Sequence, residues 1–264
     1  MPGTLFVVAT PIGNLEDISS RALRVLREVA LIAAEDTRRT ARLLARYAIT
    51  TSTTSLHEHN EAAKSASLVD RLERGDSIAL VTDAGTPTVS DPGAGLIRAA
   101  VEAGIRVEPV PGPSAPMAAL AASGFPSDTF LFLGFPPTRS KDRERWLSLV
   151  KSAGRTVVFF EAPHRVRATL RELQRIIGDC PIVAARELTK AHEELVRGPI
   201  SAALGKLQHP VGEFTIVVDI GRMPETLPPG SPLGPDLMDE FGELTKIDGL
   251  SRNQAVAKLA SKHG

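Results

Sequence analysis

Two stretches dense in proline and glycine constrain this chain most: Asp83-Ala-Gly-Thr-Pro-Thr-Val-Ser-Asp-Pro-Gly93 and Pro111-Gly-Pro-Ser-Ala115. Each follows an apolar run and precedes a helical pattern of small residues. Proline fixes φ and glycine admits φ > 0, so together they hold a loop in one shape. A rigid loop at the carboxyl end of a strand, facing a helix N-terminus, is where open α/β sheets bind ligands. A chain with two such loops in succession is constrained to layers of strands and helices.

The rest of the pattern agrees. Apolar runs at 5–9, 31–34, 77–82 and 106–110 read as strands. Between and after them, helical spacing predicts helices from Ile18 to Val29 (capped by Ser19 or Ser20), at 37–47, at 61–73 closed by Gly75, at 94–103 ended by Gly104, and at 114–122. The alternation restarts after the turn cluster Ser-Gly-Phe-Pro-Ser-Asp at 123–128. Strands are predicted at 129–133, 156–160, 182–185, 193–197 and 213–220, and helices at 142–150, 164–177 and near 200–208. The expectation is α/β with mainly parallel sheets, in two domains at 1–122 and 129–221. Pro224, Pro228, Pro229, Pro232 and Pro235 mark 222–235 as a linker. Helical patterns at 236–246 and 252–261 form a tail (236–264), the second opened by the capping-box pair Ser251 and Gln254. The tail reads as incomplete.

Bulk properties exclude several classes. The 31 basic and 31 acidic residues cancel, so no whole-molecule field draws the chain to nucleic acid, although a local basic groove is compatible with that balance. The single cysteine, Cys180, forbids an internal disulfide framework and reads as a small buried or edge thiol. The N-terminus has no basic n-region or cleavage site, and no apolar run approaches the ~18–20 residues of a membrane span. The expected setting is a reducing cytoplasm. There is no Gly-x-Gly-x-x-Gly after a strand, no Walker A sequence and no Gly-x-Ser-x-Gly elbow.

Several polar clusters close strands. Glu35-Asp36-Thr37-Arg38 starts a helix, where the acids suit N-capping; Arg38, Arg39, Arg42 and Arg46 then make a stripe that fits phosphate contact or a solvated face. His57 and His59 in His-Glu-His-Asn read as a polar active-site loop, a metal-ligand pair lacking a third ligand, or plain surface; no metal is expected. Glu161-Ala-Pro-His164-Arg165 ends another predicted strand. Arg186 and Glu187 read as an ion pair, and Lys190 brings a titratable group into the same loop as His192 and Glu193.

These residues carry a resemblance. Val-Ala-Thr-Pro-Ile-Gly-Asn-Leu (8–15), Ala-Glu-Asp-Thr-Arg (34–38), Ser-Leu-His-Glu-His-Asn (55–60), the two rigid loops, Glu-Ala-Pro-His-Arg (161–165) and Ala-Arg-Glu-Leu-Thr-Lys (185–190) resemble the ribosomal RNA small-subunit methyltransferase I family, in the tetrapyrrole-methylase class of S-adenosylmethionine enzymes. The match runs over about residues 4–220. It implies two α/β domains with the donor S-adenosyl-L-methionine in the cleft between them, a homodimer, and 2′-O-methylation of a cytidine ribose in the decoding region of 16S ribosomal RNA, in the 30S subunit. It implies donor contacts at Thr10, Pro11, Gly85, Thr86, Pro87, Val89, Ser114 and Ala115. Second-domain backbone contacts are implied near Leu133, Gly134 and Phe135, and further on at Ala185 and Glu213. Where small-molecule members of the class read Gly-Asp-Pro, this chain reads Gly85-Thr86-Pro87. Family members continue past a Ser-Arg-x-x-Ala helix into a second helix with an aromatic near its end; here Ser251-Arg-Asn-Gln-Ala255 is present and the remainder is not.

The implied chemistry is displacement of the sulfonium methyl by a ribose 2′-oxygen. Alignment supplies much of the rate, and a base helps remove the hydroxyl proton. Glu35, Asp36, His57 and Lys190 are the candidates for that base, with the proviso that a lysine needs a depressed pKa. Arg38, Arg39, Arg42, His164 and Arg165 are expected to hold the RNA. Two other readings remain: methylation of a small molecule on the same fold, against which the Arg stripe argues, and an inactive ribosome-assembly factor, against which the intact loops argue.

Overall fold

The computed structural model describes residues 1–208 and 210–221, with Leu244, Ser251, Gln254, Lys258 and Leu259 of the tail. In the first half, β1 (Thr4–Val8), β2 (Leu31–Ala34), β3 (Thr53–Ser55), β4 (Ile78–Val81) and β5 (Arg106–Val110) alternate with α1 (Ser20–Glu28), α2 (Thr37–Arg46), α3 (Glu61–Glu73) and α4 (Ala94–Glu102). The strands form one parallel sheet in the order β3-β2-β4-β1-β5. Strand β3 is an addition to the sequence reading. It is short and polar, and its register beside β2 (Ile32 opposite Thr53) places it at the sheet edge.

Near-continuous apolar strands such as Leu31–Ala34 are required because both faces of this sheet are covered. On one face, Val25 and Leu26 of α1 and Leu43 and Leu44 of α2 pack on Ile32, Ala79 and Val81. On the other, Leu68 and Leu72 of α3 and Leu96 of α4 pack on Leu5, Ala33 and Leu80. The helix starts follow the sequence signals: Ser19 accepts a hydrogen bond from the Ala22 amide and Asp36 one from the Arg38 amide. Helix α4 begins at Gly93, which has no side chain to cap with. Glu61 of α3 does that from outside, its Oε1 accepting from Gly95 N and Leu96 N.

Helix α5 (Ala115–Ser123) leads to the second half, made of β6 (Phe130–Phe132), α6 (Ser140–Ser152), β7 (Thr156–Glu161), α7 (Pro163–Ile177), β8 (Pro181–Arg186), β9 (Glu194–Pro199), α8 (Ile200–Lys206) and β10 (Phe214–Val218). The sheet order is β6-β7-β10-β8-β9. Here the expectation of a mainly parallel sheet is corrected. Strands β6 and β7 are parallel, but β10 runs antiparallel to both β7 and β8, and β9 antiparallel to β8. The cause is local. The crossover helix α7 keeps β7 and β8 in one direction, β10 inserts between them, and the segment from β8 to β9 has no helix to carry the chain over the sheet.

Residues alternate across the second sheet. Val157, Phe159, Ile182 and Ile216 meet α6, α7 and α8, and the half-buried Cys180 packs against this cluster, its thiol pushed upward in pKa by burial. Val158, Val183, Ala185 and Val217 face the other way, onto Ala119 and Leu120 of α5, with Ile12 and Leu188 completing the cluster. Helix α5 thus packs on the second sheet: rich in alanine, with Ala119 and Leu120 buried, it fits against a sheet whose other face is already covered. No helix among the described residues is long and apolar enough to cross a membrane. In the tail, Gln254 Oε1 accepts from Ser251 N at 3.0 Å, the expected capping pair. The linker at 222–235, the rest of both tail helices and His209 lie outside the described residues.

Candidate active site

A cavity of about 410 Å³ opens where the strand-exit loops of the first half meet the ends of β7 and β10. Both rigid loops line it. The backbone of Thr10, just past β1, forms a two-bond bridge with Gly85 (2.9 and 3.0 Å), and Thr10 Oγ1 donates to the Thr82 carbonyl. Thr86 Oγ1 donates to the carbonyl of Pro113 at 3.3 Å, tying the loops together. Gly85 sits at φ +90°, where a side chain is strained. Thr88 and Ser90 hold φ of 72° and 68° without being glycine, strain that concentrates at functional loops.

Of the sequence-predicted residues, Glu35, Arg39, Gly85, Thr86, Val89, Ser114 and Ala115 face the cavity. Thr10, Pro11 and Pro87 are buried and do not line it. Leu133 and Gly134 lead into Phe135, which lines it. The first turn of α5, starting at Ser114, presents a helix N-terminus there, and the Ser114 side chain makes no cap bond.

Five carboxylate residues line the cavity, Glu35, Asp83 and Asp91 from the first half and Glu161 and Glu213 from the second. Glu35 Oε2 accepts from Thr82 Oγ1 (2.6 Å) and from the Asp83 amide (3.2 Å). Asp83 accepts from the Asp36 amide and pairs with Arg39 Nη1 at 3.3 Å. Burial raises the Asp83 pKa, and the Glu35 charge adds to that. Burial lifts Asp91 further, to about 6, against a lowering hydrogen bond from Thr82 and with help from the charges of Glu35 and Asp83. Asp83 and Asp91 were not singled out as site residues from the sequence. The signal was available, since they bracket the rigid loop.

The other base candidates lie elsewhere. Asp36 caps α2 and makes a two-pronged pair with Arg38, which holds its carboxyl far below the usual range. His57 does not line the cavity: its amide donates to Asn60 Oδ1, and Asn60 Nδ2 lies 3.1 Å from its Nε2. The His57 and His59 rings meet edge to face at 6.0 Å, and among the described residues no group of three His, Cys, Asp or Glu side chains is arranged to hold a metal. Lys190 lies outside the cavity between Glu187 and Glu213, 3.0 Å from each. Burial disfavours its charge, but those two carboxylates prevail and raise its pKa. The depressed pKa a lysine base requires is therefore absent.

The basic candidates separate as well. Arg39 lines the cavity; Arg38 is engaged by Asp36; Arg42 and His164 are exposed. Arg165 is directed inward, its Nε 3.3 Å from Glu161 Oε1 and its Nη2 donating to the Pro136 carbonyl. Glu161, with a side chain at 0% exposure, also accepts from Ala162 N and from Thr169 Oγ1. The expected Arg186–Glu187 pair is replaced by Arg186–Glu194 and Glu187–Lys190.

Gly13 explains the first motif. An added Cβ would meet Lys190 Cγ at 2.5 Å and the Leu188 carbonyl and Thr189 Oγ1 at 2.7 Å, and Asn14 N donates to that same hydroxyl at 3.0 Å. The 187–190 loop is held tightly, with Glu187 and Thr189 at φ of 52° and 65°, so it cannot retreat cheaply. Gly13→Ala is expected to cost about 1–3 kcal/mol by overpacking, read as a lowered Tm in thermal unfolding. Because Ile12 and Leu188 both line the cavity, ligand affinity should fall with it.

The pattern of the tetrapyrrole (corrin/porphyrin) methylases matches residues 4–204. Ribosomal RNA small subunit methyltransferase I of Synechocystis sp. is 44% identical over 98% of this chain and 93% of its own length. The protein of the same name from Thermotoga maritima is 48% identical over 82% of this chain and 98% of its own. Among solved structures, a diphthine synthase superposes with a TM-score of 0.67 at 16% identity, covering 82% of this chain and 90% of that one. A uroporphyrin-III C-methyltransferase from Thermus thermophilus, complexed with S-adenyl homocysteine, gives 0.59 at 17% identity, covering 83% and 98%. These two show the shared fold.

Proposed function

The chain belongs to the ribosomal RNA small subunit methyltransferase I family, and we propose that it transfers a methyl group from S-adenosyl-L-methionine to the 2′-oxygen of a cytidine ribose in the decoding region of 16S ribosomal RNA, acting on the 30S subunit as a cytoplasmic homodimer. The observation that carries the reading is the cavity lined by both rigid loops and by a cluster of carboxylates, Glu35, Asp83 and Asp91 among them. The division into domains at 1–122 and 129–221 belongs to the same reading, with α5 at the end of the first.

The residues fit the donor. When bound, S-adenosylmethionine supplies an electrophilic methyl on a sulfonium. A cationic sulfonium and ammonium suit the carboxylates of Glu35 and Asp83 in a partly enclosed site, where charges interact more strongly than in water. The donor's carboxylate suits the N-terminus of α5 at Ser114 and Ala115. Gly85 brings backbone to the cavity wall at a φ of +90° that a side chain would strain. The volume lies within the usual range for small-molecule sites, about 300–1,000 Å³.

The chain's own task is alignment and proton removal. The 2′-oxygen forms its bond to the methyl carbon as the carbon–sulfur bond breaks, and the hydroxyl proton passes to a carboxylate. Asp91 is the acceptor assigned here: it lines the cavity, and burial pushes its pKa up to about 6. Glu35 and Asp83 commit oxygens to Thr82, Asp36 and Arg39. Arg39, with 61% of its side chain exposed, is the cavity's cation for the RNA phosphate, and Arg42 continues that face.

The test is methylation of 30S subunits that lack the modification, with labelled donor, followed by mapping of the label. Label on one cytidine ribose is the expected result. Label on a base atom, or none in RNA while calorimetry shows donor bound, overturns the proposal.

A further inference from the structure

Phe135 is the one exposed Phe, Tyr or Trp among the described residues, with 55% of its surface accessible, and it lines the cavity. An exposed aromatic on a loose loop needs no explanation. This loop is held from several sides. Gly134 takes φ +57° and its carbonyl accepts from Phe160 N at 2.8 Å. The two carbonyls that follow Phe135, those of Pro136 and Pro137, are each gripped by a guanidinium, Arg165 for the first and Arg143 for the second. Phe160 backs the Phe135 ring at 5.2 Å between centroids, tilted by 49°. The ring is thus fixed in place and supported from one side, with much of its surface left to solvent at the cavity.

We infer that the Phe135 ring is the stacking platform for the base of the acceptor nucleotide, holding it so that its ribose reaches the cavity. The inference rests on the proposed RNA acceptor. The occupant follows from the chemistry. A base drawn out of its stack needs an aromatic face to replace its lost neighbours, and a rigid ring provides one at little entropic cost. The exposed Arg39 guanidinium in the same cavity wall suits the adjoining phosphate. The donor is provided for by the carboxylates and the α5 N-terminus, and a donor meant to be enclosed gains least from the most exposed ring.

The test uses the full chain with an unmethylated RNA fragment, S-adenosylhomocysteine for binding and S-adenosylmethionine for turnover. Phe135→Ala is expected to weaken RNA binding and raise KM for RNA by about 5- to 150-fold, the range of one lost base–aromatic stack, while kcat changes little. Donor affinity by calorimetry should stay within two- to three-fold. Phe135→Tyr should restore RNA affinity, and Phe135→Leu, similar in apolar character and equally able to fold, should not. Unchanged RNA affinity in the alanine variant, or full rescue by leucine, overturns the inference. So does a loss of donor affinity with RNA affinity intact, which would assign the ring to the donor's adenine. Failure of the wild-type chain to methylate the RNA would be a separate result, against the proposed function; the binding comparison would still decide the role of Phe135.

Discussion

Asp91→Asn is expected to slow methyl transfer by about 10²–10⁴-fold at pH 8, the usual contribution of a positioned acid or base, with donor affinity changed only a few-fold. The amide keeps the shape of the carboxyl and cannot take a proton. The pH profile gives a second reading. With a pKa of about 6 in the free enzyme, Asp91 must be ionised to act, so kcat/KM for the donor should rise with pH through that value and level off above it. In the variant the acidic limb should vanish. A variant that retains both rate and limb removes Asp91 from the chemistry.

Stability should move the other way. The folded pKa of Asp91 is raised from 3.8 to about 6, so between those values the native state binds more protons than the unfolded chain. Stability therefore falls as pH rises across that window and remains lower above it. Asparagine avoids that loss. Asp91→Asn should melt above wild type at pH 8, with the difference closing near pH 4, which is the signature of a site that sacrifices stability for function. Glu35 acts on the same proton from a distance. Its charge helps raise Asp91, so Glu35→Gln, which can still accept from Thr82 and Asp83, should shift the acidic limb to lower pH.

What the sequence conveyed was set by what is local. Strand and helix positions followed from apolar spacing, Ser19 and Asp36 were legible as caps, and the two rigid loops were legible as ligand loops because proline and glycine act through their own backbone. Strand β3 escaped because Thr-Thr-Ser has no apolar pattern; only its neighbour β2 makes it a strand. The direction of β9 and β10 escaped because alternation was taken to mean crossovers, yet the stretch from Glu187 to Glu193 has no helical pattern and announces a return. Side-chain roles were the least legible. Lys190 and Arg165 look like free cations in one dimension. Their partners Glu213, Glu161 and the Pro136 carbonyl come from other elements, and only the fold shows the charges already engaged.

Glu161 illustrates how such engagement decides stability, and its removal is expected to be the most damaging single change. Its side chain is fully buried at the end of β7, accepting from Ala162 N and Thr169 Oγ1 and facing Arg165. Thr169 Oγ1 in turn accepts from Arg143 Nη2 at 2.8 Å, and Arg143 pairs with Glu172 at 2.7 Å. In Glu161→Ala the Arg165 guanidinium, only 24% exposed, loses its counter-charge while still enclosed, and Thr169 loses its acceptor. Breaking a buried pair from one side costs about 3–5 kcal/mol, which urea unfolding should show as a lowered midpoint at unchanged slope. The same change loosens the arginine that holds the Pro136 carbonyl, so Phe135 should lose its fixed position and RNA affinity should fall even at temperatures where the variant is fully folded. Glu161→Gln separates the two effects. It keeps an acceptor for Ala162 and an uncharged partner for Arg165, and should recover part of the stability. A Glu161→Ala variant with wild-type unfolding would mean that the network is solvated in solution and that the loop is held by its prolines alone.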